Sequence, residues 1–273
     1  MNPPGHRRID CHVHAWPDSL VQKNLQSIKA QSGISPAFDG TVSSLQTSMA
    51  NSGVNMSIVN NVVLKADLMR KANDWTSTAV SNHKGLAGMG YVIAGDSESA
   101  SEVETCVNDL HFKAIKMHHS HSKIFPGDSK NYPIYEKIVV LGIPVLFHCG
   151  KNPYSRDSAI QYSAPSGFGS VLSSFPEMKV VLAHLAGYED YPIEALDLLQ
   201  NSRHVVADTA LEAPSKVIIA DVVAKIGIEK IVFGSDYPIH DPAILISWLR
   251  DSLSQPDFDA ITCKNPMDLF DLE

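Results

Sequence analysis

The chain has 273 residues, of which 44% are hydrophobic, and a formal net charge of −8 at pH 7. Single α/β barrels use about 250 residues, so this length and apolar content suit one domain with a large core. The acidic balance disfavours a nucleic-acid partner, because binding to phosphates needs concentrated positive charge.

Targeting and disulfide signals are missing from the sequence. No apolar run approaches the ~20 residues that span a bilayer, and the polar residues 1–8 do not form the apolar segment of a signal peptide. Four cysteines, Cys11, Cys106, Cys149 and Cys263, are scattered without a CxxC pair, which indicates neither a disulfide framework nor a thiolate zinc site. We therefore expect a soluble, cytoplasmic protein with reduced thiols and no membrane partner.

Apolar, β-branched segments alternate with segments of helical pattern along the whole chain. The strands are predicted at 8–14, 54–63, 85–93, 112–118, 143–148, 179–184, 204–208 and 230–236. The helices are predicted at 41–52, 67–82, 97–108, 133–141, 167–175, 193–201, 214–226 and 242–253. Gly53 and Gly142 stand where a left-handed residue ends a helix, and Pro133 and Pro214 suit a first helical turn. The segment 18–39 is the longest irregular stretch, and it is either a lid over a substrate or a surface excursion.

Eight strands, each followed by a helix, predict a distorted (β/α)8 TIM barrel that occupies residues 1–273 as a single domain. A doubly wound sheet usually has fewer strands and a glycine-rich phosphate loop after the first one. Here two histidines occupy that position, and neither GxGxxG nor GxxxxGK[ST] occurs. No internal repeat or linker divides the chain.

The first predicted strand carries two histidines. His12 and His14 are two residues apart, so both point to one face of the strand, with Cys11 and Val13 on the other. Two imidazoles on one face form half of a metal site. By itself the pair is weak evidence, since a surface strand with two solvated imidazoles has the same pattern.

Four further strands end in ionisable side chains: Lys116 and His118 on the fourth, His148 on the fifth, His184 on the sixth and Asp236 on the eighth. Barrel enzymes gather their active sites at this end of the strands. A buried imidazole or carboxylate needs a partner, and one bound divalent cation is a partner for several of them. The alternatives are hydrogen-bonded core histidines and a turn or helix-cap aspartate, but the parallel placement favours a metal site.

The same residues resemble the amidohydrolase superfamily, and within it the amidohydrolase-2 branch of metal-dependent hydrolases and decarboxylases related to aminocarboxymuconate semialdehyde decarboxylase. The resemblance covers nearly the whole chain. It rests on Ala-Ile-Lys116-Met-His118, His148-Cys-Gly150, Ala-His184-Leu, Gly-Ser-Asp236-Tyr-Pro and the terminal Asn265…Leu269-Phe270. It implies a TIM barrel that binds one Zn²⁺ or another divalent metal ion, and members of the branch often form homodimers.

The resemblance also implies roles for single residues. His12, His14, His148 and Asp236 would ligate the metal, and Asp236 would be the general base. His184 would either support the ligands without binding the metal or act as an acid/base or electrostatic group. Lys116 leaves two alternatives open. In binuclear members a carbamylated lysine bridges two metals, whereas here it could instead pair with a carboxylate or reach an anionic substrate; we favour one metal.

Substrate specificity would come from the loops after the strands. The candidate substrate-binding residues there are Trp16, His118, Tyr154 and Arg156. An arginine suits a substrate carboxylate through a bidentate pair, although a solvated loop arginine is an equal alternative. His119 and His121 divide between loop surface and pocket lining. Glu212 is expected to cap the helix predicted at 214–226 rather than to contact substrate.

The leading hypothesis is a metal-dependent hydrolase whose metal-activated water attacks an amide, lactone or ester bond of a small, carboxylated substrate. The chain is shorter than the well-known decarboxylases of the branch, which favours hydrolysis. The alternative is a non-oxidative decarboxylase of a small unsaturated or aromatic acid. A metal-dependent deoxyribonuclease and a barrel that binds metal only for stability come after these two.

Overall fold

The computed structural model describes residues 7–150, 162–212, 215 and 217–272, and within them eight parallel strands pair in the order β1 to β8. The strands are β1 (Ile9–His14), β2 (Met56–Asn60), β3 (Leu86–Tyr91), β4 (Ala114–Met117), β5 (Val145–Phe147), β6 (Val180–Leu182), β7 (Val205–Asp208) and β8 (Ile231–Val232). Each lies inside the corresponding predicted segment, and helices connect them. The predicted (β/α)8 TIM barrel is confirmed.

The last strand closes the barrel against the first through an irregular seam. β8 is only two residues long, so the seam is made by the chain that follows it. The Cys11 amide donates to the Phe233 carbonyl at 2.9 Å, the Asp236 amide to the His12 carbonyl at 2.8 Å, and the His14 amide to the Tyr237 carbonyl at 2.7 Å. These bonds hold Asp236 beside the histidines of β1.

A bulge interrupts β1 at its histidines. Asp10 pairs with Ser57 and Val13 with Val59, so three steps along β1 match two steps along β2. As a result Cys11 packs in the barrel interior, whereas Val13 packs in the layer between barrel and helices. The expectation that Cys11 and Val13 share the face opposite the histidines was wrong, because strict alternation does not hold across a bulge.

Thirteen helices and one π-turn surround the strands in the described ranges. They are α1 (Val21–Ser32), α2 (Val42–Ser52), α3 (Met69–Ser81), α4 (Ser99–Asn108), α5 (His119–Ser122), α6 (Tyr132–Leu141), α7 (Gly169–Ser174), α8 (Ala183–Gly187), α9 (Pro192–Asn201), α10 (Ile219–Ile226), α11 (Pro242–Ser252), α12 (Gln255–Asp259) and α13 (Asn265–Phe270), with the π-turn at Ala260–Lys264. Gly53 and Gly142 end α2 and α6 in the left-handed conformation, as predicted. None of the helices in this part of the chain is both long and apolar enough to cross a membrane.

Two elements differ from the sequence-based expectation. The segment 18–39 contains α1 instead of being irregular, and the spacing of Val21, Leu25 and Ile28 is the amphipathic signal that the prediction missed. The helix expected at 214–226 begins at Ile219 in α10, while Pro214 lies outside the described residues.

The barrel interior is apolar below the site. It is filled by Ile9, Cys11, Ile58, Met89, Ala114, Leu146, Val181, Ala183, Val232 and Phe270. Phe270 belongs to α13, whose Asn265 amide donates to the carbonyls of Ile228 and Ile231 at 2.8 and 2.7 Å. The C-terminal helix therefore packs under the barrel beside the start of β8, and the polar side chains gather at the opposite end.

Substituting Gly88 tests how tightly β3 packs against Phe112, a residue of the segment between α4 and β4. A Cβ at Gly88 would lie 2.1 Å from Cδ1 of Phe112, a buried ring. We expect Gly88→Ala to lower the free energy of unfolding by roughly 1–3 kcal/mol, the usual cost of overpacking. Urea denaturation measures this change.

Gly169→Ala is the matched control, since a Cβ there meets nothing within 4 Å and the residue has helical dihedrals. It should leave the free energy of unfolding unchanged or raise it slightly. Equal stability of the two variants would contradict the packing described for β3.

Candidate metal centre and its cavity

A cavity of about 510 Å³ opens at the C-terminal end of the strands. Trp16 lines it, with its indole nitrogen donating to the Asp39 carbonyl at 3.1 Å. Asn24, Ser27 and Ile28 of α1 line it as well. The segment that follows β1 is thus part of the cavity wall, which agrees with the lid alternative and not with a plain surface excursion.

Three side chains of the cavity form a cluster with the donor types of a metal site. One ligand atom each from His12, His14 and Asp236 lies within 4.8 Å of the others. Oδ1 of Asp236 is 2.9 Å from Nε2 of His14 and 3.4 Å from Nε2 of His12. His12 is buried, while His14 and Asp236 each retain 16% exposure toward the cavity.

A buried carboxylate fixes the orientation of His12. Nδ1 of His12 donates to Oδ2 of Asp208 at 2.8 Å, and Asp208 is fully buried at the end of β7. With its proton on Nδ1, the ring presents a lone pair on Nε2, which is the form that binds a metal. Asp208 was not among the predicted site residues, although it ends a predicted strand as Asp236 does.

A second chain of hydrogen bonds fixes His148. Nδ1 of His184 lies 2.6 Å from the Ala210 carbonyl and therefore carries a proton, which leaves Nε2 of His184 as an acceptor. The donor to this acceptor is Nδ1 of His148, at 3.1 Å. The proton of His148 is thereby on Nδ1, and its Nε2 is a buried lone pair without a hydrogen-bond partner.

His184 lies in a backbone turn that sequence patterns do not reveal. In α8, His184, Leu185 and Ala186 all have left-handed dihedrals, with φ of 59°, 50° and 57°. Each such residue costs about 1–2 kcal/mol, so the surroundings must hold the turn in place. Oδ1 of Asp208 accepts from the His184 amide at 2.8 Å and provides part of that support.

Burial and charge shift several pKa values in the cluster. Burial lowers the pKa of Lys116 to about 8, although Asp208 and Asp236 oppose the shift. Burial, followed by the nearby Lys116 ammonium, lowers the pKa of His12 to about 4. Burial alone would raise the pKa of Asp236, but the facing imidazoles, His12 foremost, hold it well below its usual value. The site therefore combines a neutral His12 imidazole with an ionised Asp236 carboxylate.

Lys116 lies inside the cluster. Its Nζ is 3.0 Å from Nε2 of His12, and its side chain is 1% exposed. The ammonium group thus occupies the position facing the lone pair of His12, next to the groups that would hold a cation. The role of Lys116, whether as a bridge between two metals or in contact with substrate, stays a prediction.

The other histidines after β4 separate into two groups. His118 and His121 line the cavity and stack with ring centroids 3.5 Å apart. His119 points away, with Nε2 2.9 Å from the hydroxyl of Tyr135. Glu212 lines the cavity instead of capping a helix, so that expectation was wrong. Two candidate substrate residues, Tyr154 and Arg156, lie outside the described residues.

The residues fit a divalent metal. His12 and His148 each have one nitrogen fixed as a donor and the other left as a lone pair, and Asp236 adds an ionised oxygen. Imidazole nitrogen and carboxylate oxygen are ligands that suit zinc, manganese and iron alike. His148 does not belong to the group of ligand atoms that lie within 4.8 Å of one another, which come from His12, His14 and Asp236. The structure thus brings three of the four predicted ligands together, and the binding of a metal by any of the four stays a prediction.

Comparison with known families identifies the class. The family described as amidohydrolase, of the amidohydrolase-2 type, matches residues 9–272. The chain therefore belongs to this amidohydrolase family, as its sequence motifs indicated, and is an enzyme. No curated protein matches the sequence.

Solved structures with the same fold include three decarboxylases. The 5-carboxyvanillate decarboxylase of Sphingomonas paucimobilis has a TM-score of 0.77 at 16% identity, over 98% of this chain and 100% of that one. The 2,6-dihydroxybenzoate decarboxylase of Rhizobium has a TM-score of 0.75 at 15% identity, over 97% and 99%. The dihydroxybenzoic acid decarboxylase of Polaromonas sp. JS666, solved with manganese and the inhibitor 2-nitroresorcinol, has a TM-score of 0.74 at 15% identity, over 97% of both chains. At these identities the likeness establishes the fold.

Replacing Asp208 by asparagine tests whether this carboxylate prepares His12 for a metal. Two backbone amides, from His184 and Ala210, donate to Oδ1 of Asp208, so they would hold the oxygen of an asparagine. Its NH₂ group would then face Nδ1 of His12 and move the imidazole proton to Nε2. We expect the affinity for Mn²⁺ and Zn²⁺ to fall about 10- to 100-fold, as for other groups that orient a ligand.

Calorimetric titration of chelator-treated protein measures this affinity. Asp221→Asn on the exposed face of α10 is the matched control and should leave the affinity unchanged. An unchanged affinity in Asp208→Asn, with the fold intact by circular dichroism, would show that Asp208 does not set the His12 tautomer.

Proposed function

We propose that this protein is a divalent-metal-dependent decarboxylase of a small aromatic or unsaturated carboxylic acid. The observation that carries the proposal is the cavity at the carboxyl ends of the strands, whose floor combines the His12, His14 and Asp236 cluster with the free nitrogen of His148. Membership of the amidohydrolase family supports an enzyme of this kind, and the solved structures with the same fold include decarboxylases.

The metal would be held by His12, His14, His148 and Asp236. Hydrogen bonds to Asp208 and His184 support the roles of His12 and His148, because they leave one nitrogen of each ring without a proton. When bound, the cation would act as a Lewis acid that neutralises a substrate oxygen and stabilises negative charge as the carboxylate departs. Zn²⁺ was expected from the sequence, while manganese in the Polaromonas decarboxylase makes Mn²⁺ an equal candidate.

Decarboxylation requires a proton at the carbon that carries the carboxylate. As that carbon is protonated, the bond to the carboxyl carbon breaks, its electron pair returns to the ring, and carbon dioxide leaves. Asp236 is our candidate for the group that delivers this proton, because its carboxylate reaches the cavity beside His14. The carboxylate is ionised in this structure, so it would first take a proton from water and then pass it to the ring carbon, which returns Asp236 to its ionised form.

His184 would act mainly through His148. In this structure its two ring nitrogens are both engaged, one with Ala210 and one with His148. It holds the His148 ring in one tautomer, and it lines the cavity close enough to contribute to the field at the substrate. Of the roles that the resemblance implied for His184, this one is the support of a metal ligand together with an electrostatic effect.

The cavity walls suit a flat, apolar ring. Trp16, Ile28, Leu211 and Ile239 line it above the polar floor. Its volume of about 510 Å³ is large enough for a substituted benzene ring. The neighbours with the same fold act on substituted benzoic acids of this kind.

Chain length no longer favours hydrolysis. The expectation of a hydrolase relied on a chain shorter than the decarboxylases of the branch. The three decarboxylases compared above are matched over 97% or more of their own length. Length therefore gives no reason to prefer an amide, lactone or ester as substrate.

The products of the reaction distinguish the two chemistries. The protein, loaded with Mn²⁺ or Zn²⁺, is incubated with 5-carboxyvanillate and dihydroxybenzoates, and in parallel with lactones and amides of small aromatic acids. We expect carbon dioxide and the decarboxylated phenol from at least one acid, and no reaction after chelation of the metal. Ring-opened or cleaved acids without carbon dioxide would establish hydrolysis instead.

Single substitutions separate the group that binds metal from the group that acts beside it. His148→Ala removes a ligand, so we expect loss of most of the bound metal as measured by elemental analysis. His184→Ala removes only the acceptor for Nδ1 of His148, which water replaces. Metal affinity should fall by only about 10-fold and kcat by about 10- to 100-fold, which is the range for groups that orient a metal ligand.

His204→Ala, at the opposite end of β7 beside Glu177, is the control and should change neither quantity. If His184→Ala loses the metal and His148→Ala retains it, the two assignments are reversed.

The remaining expectations are part of the proposal and are untested. They are a homodimeric assembly and the lack of a nucleic-acid partner. Size-exclusion chromatography with light scattering and a plasmid-digestion assay address them.

A further inference from the structure

The wall of the cavity above β4 carries a stack of three parallel imidazoles. His118 lies between His121 and His148, with centroid distances of 3.5 and 4.0 Å and interplanar angles of 6° and 8°. The third ring, His148, is the proposed metal ligand. The metal site therefore continues directly into the pair formed by His118 and His121.

No described residue forms a hydrogen bond with either ring of this pair. Nδ1 of His118 and Nδ1 of His121 are buried without a partner, and His118 is only 5% exposed. Buried imidazoles are normally hydrogen-bonded, because desolvating such a group without a partner is unfavourable. His119 in the same segment obeys this rule through the Tyr135 hydroxyl. Unpartnered imidazoles that line a cavity indicate that a ligand supplies the missing partner.

Charge is distributed unevenly around the cavity. Lys116 lies near His118 and His121, while Glu189, Asp190 and Glu212 line the cavity from the loops after β6 and β7. An anionic group would be repelled by the three carboxylates and attracted toward the lysine. Imidazole N–H groups are hydrogen-bond donors, and a carboxylate accepts from two of them at once.

We propose that His118 and His121 form a subsite for a second carboxylate of the substrate, so that the preferred acid is a dicarboxylate. This inference rests on the proposed function, in which the first carboxylate is the one released at the metal. One acid group would lie over the His12, His14 and Asp236 cluster, and the other would accept hydrogen bonds from the two stacked rings.

Binding of simple benzene carboxylates tests the subsite. The probes are benzoate, phthalate, isophthalate and terephthalate, titrated calorimetrically into the metal-loaded protein. We expect at least one dicarboxylate to bind about 10-fold more tightly than benzoate, since hydrogen bonds to a charged group contribute on this scale. The three isomers cover the different distances between the two acid groups.

Variants of the two histidines then show whether these residues cause the tighter binding of dicarboxylates. His118→Phe and His121→Phe keep a ring in the stack but remove its nitrogen atoms, so each should bring the ratio of benzoate to dicarboxylate dissociation constants close to one. His118→Gln and His121→Gln retain an N–H donor and should preserve part of the preference. The Gln variants also decide the matter if a Phe variant fails to fold. His204→Phe, remote from the cavity, should leave the ratio unchanged.

The subsite is refuted if no dicarboxylate binds more tightly than benzoate, or if the preference survives in both Phe variants. Because the probes are bound and not turned over, the result does not depend on which bond the enzyme cleaves. Loss of the preference in the Phe variants without any carbon dioxide release would refute the decarboxylase alone. Carbon dioxide release without a dicarboxylate preference would refute the subsite alone.

Discussion

The carboxylate of Asp208 is the interaction on which the site depends. It is fully buried and accepts three hydrogen bonds, from Nδ1 of His12 and from the backbone amides of His184 and Ala210. Burial alone would raise the pKa of Asp208, but the facing imidazoles, His12 foremost, lower it, so the group stays ionised. One charge thus ties β1 to the turn after β6 and to the end of β7. Without it, three donors would be left unpaired at the centre of the barrel mouth.

Backbone strain concentrates around the same place. His184 and Asp236 both have positive φ, a conformation that is uncommon for residues other than glycine, although Asp and His tolerate it better than most. Gly150 and Gly187 approach so closely that a Cβ on Gly187 would lie 2.8 Å from the Cα of Gly150. The loops after β5, β6 and β8 are therefore packed against one another at the cost of local strain. Strain of this kind is typical of sites whose geometry is fixed before a ligand arrives.

The cavity has three distinct regions, and each suggests a different contribution to specificity. The floor carries the imidazole and carboxylate groups of the proposed metal site. The wall after β4 carries the stacked imidazoles near Lys116, and the loops after β6 and β7 carry three carboxylates. Trp16 and α1 cover it from the segment that follows β1. A ligand that satisfies these regions at once must be small, flat and acidic at more than one position.

The sequence by itself determined the barrel and the convergence of its histidines. Eight apolar segments of strand length alternate with helical segments, and parallel strands in a barrel bring their carboxyl ends together, so His12, His14, His184 and Asp236 had to meet at one mouth. Only the tertiary structure showed Asp208 as the shared acceptor, the bulge in β1, and the stack of His118 with His121 and His148. These features depend on the register between strands and on the course of loops, which are set by long-range packing and not by the local pattern of residues.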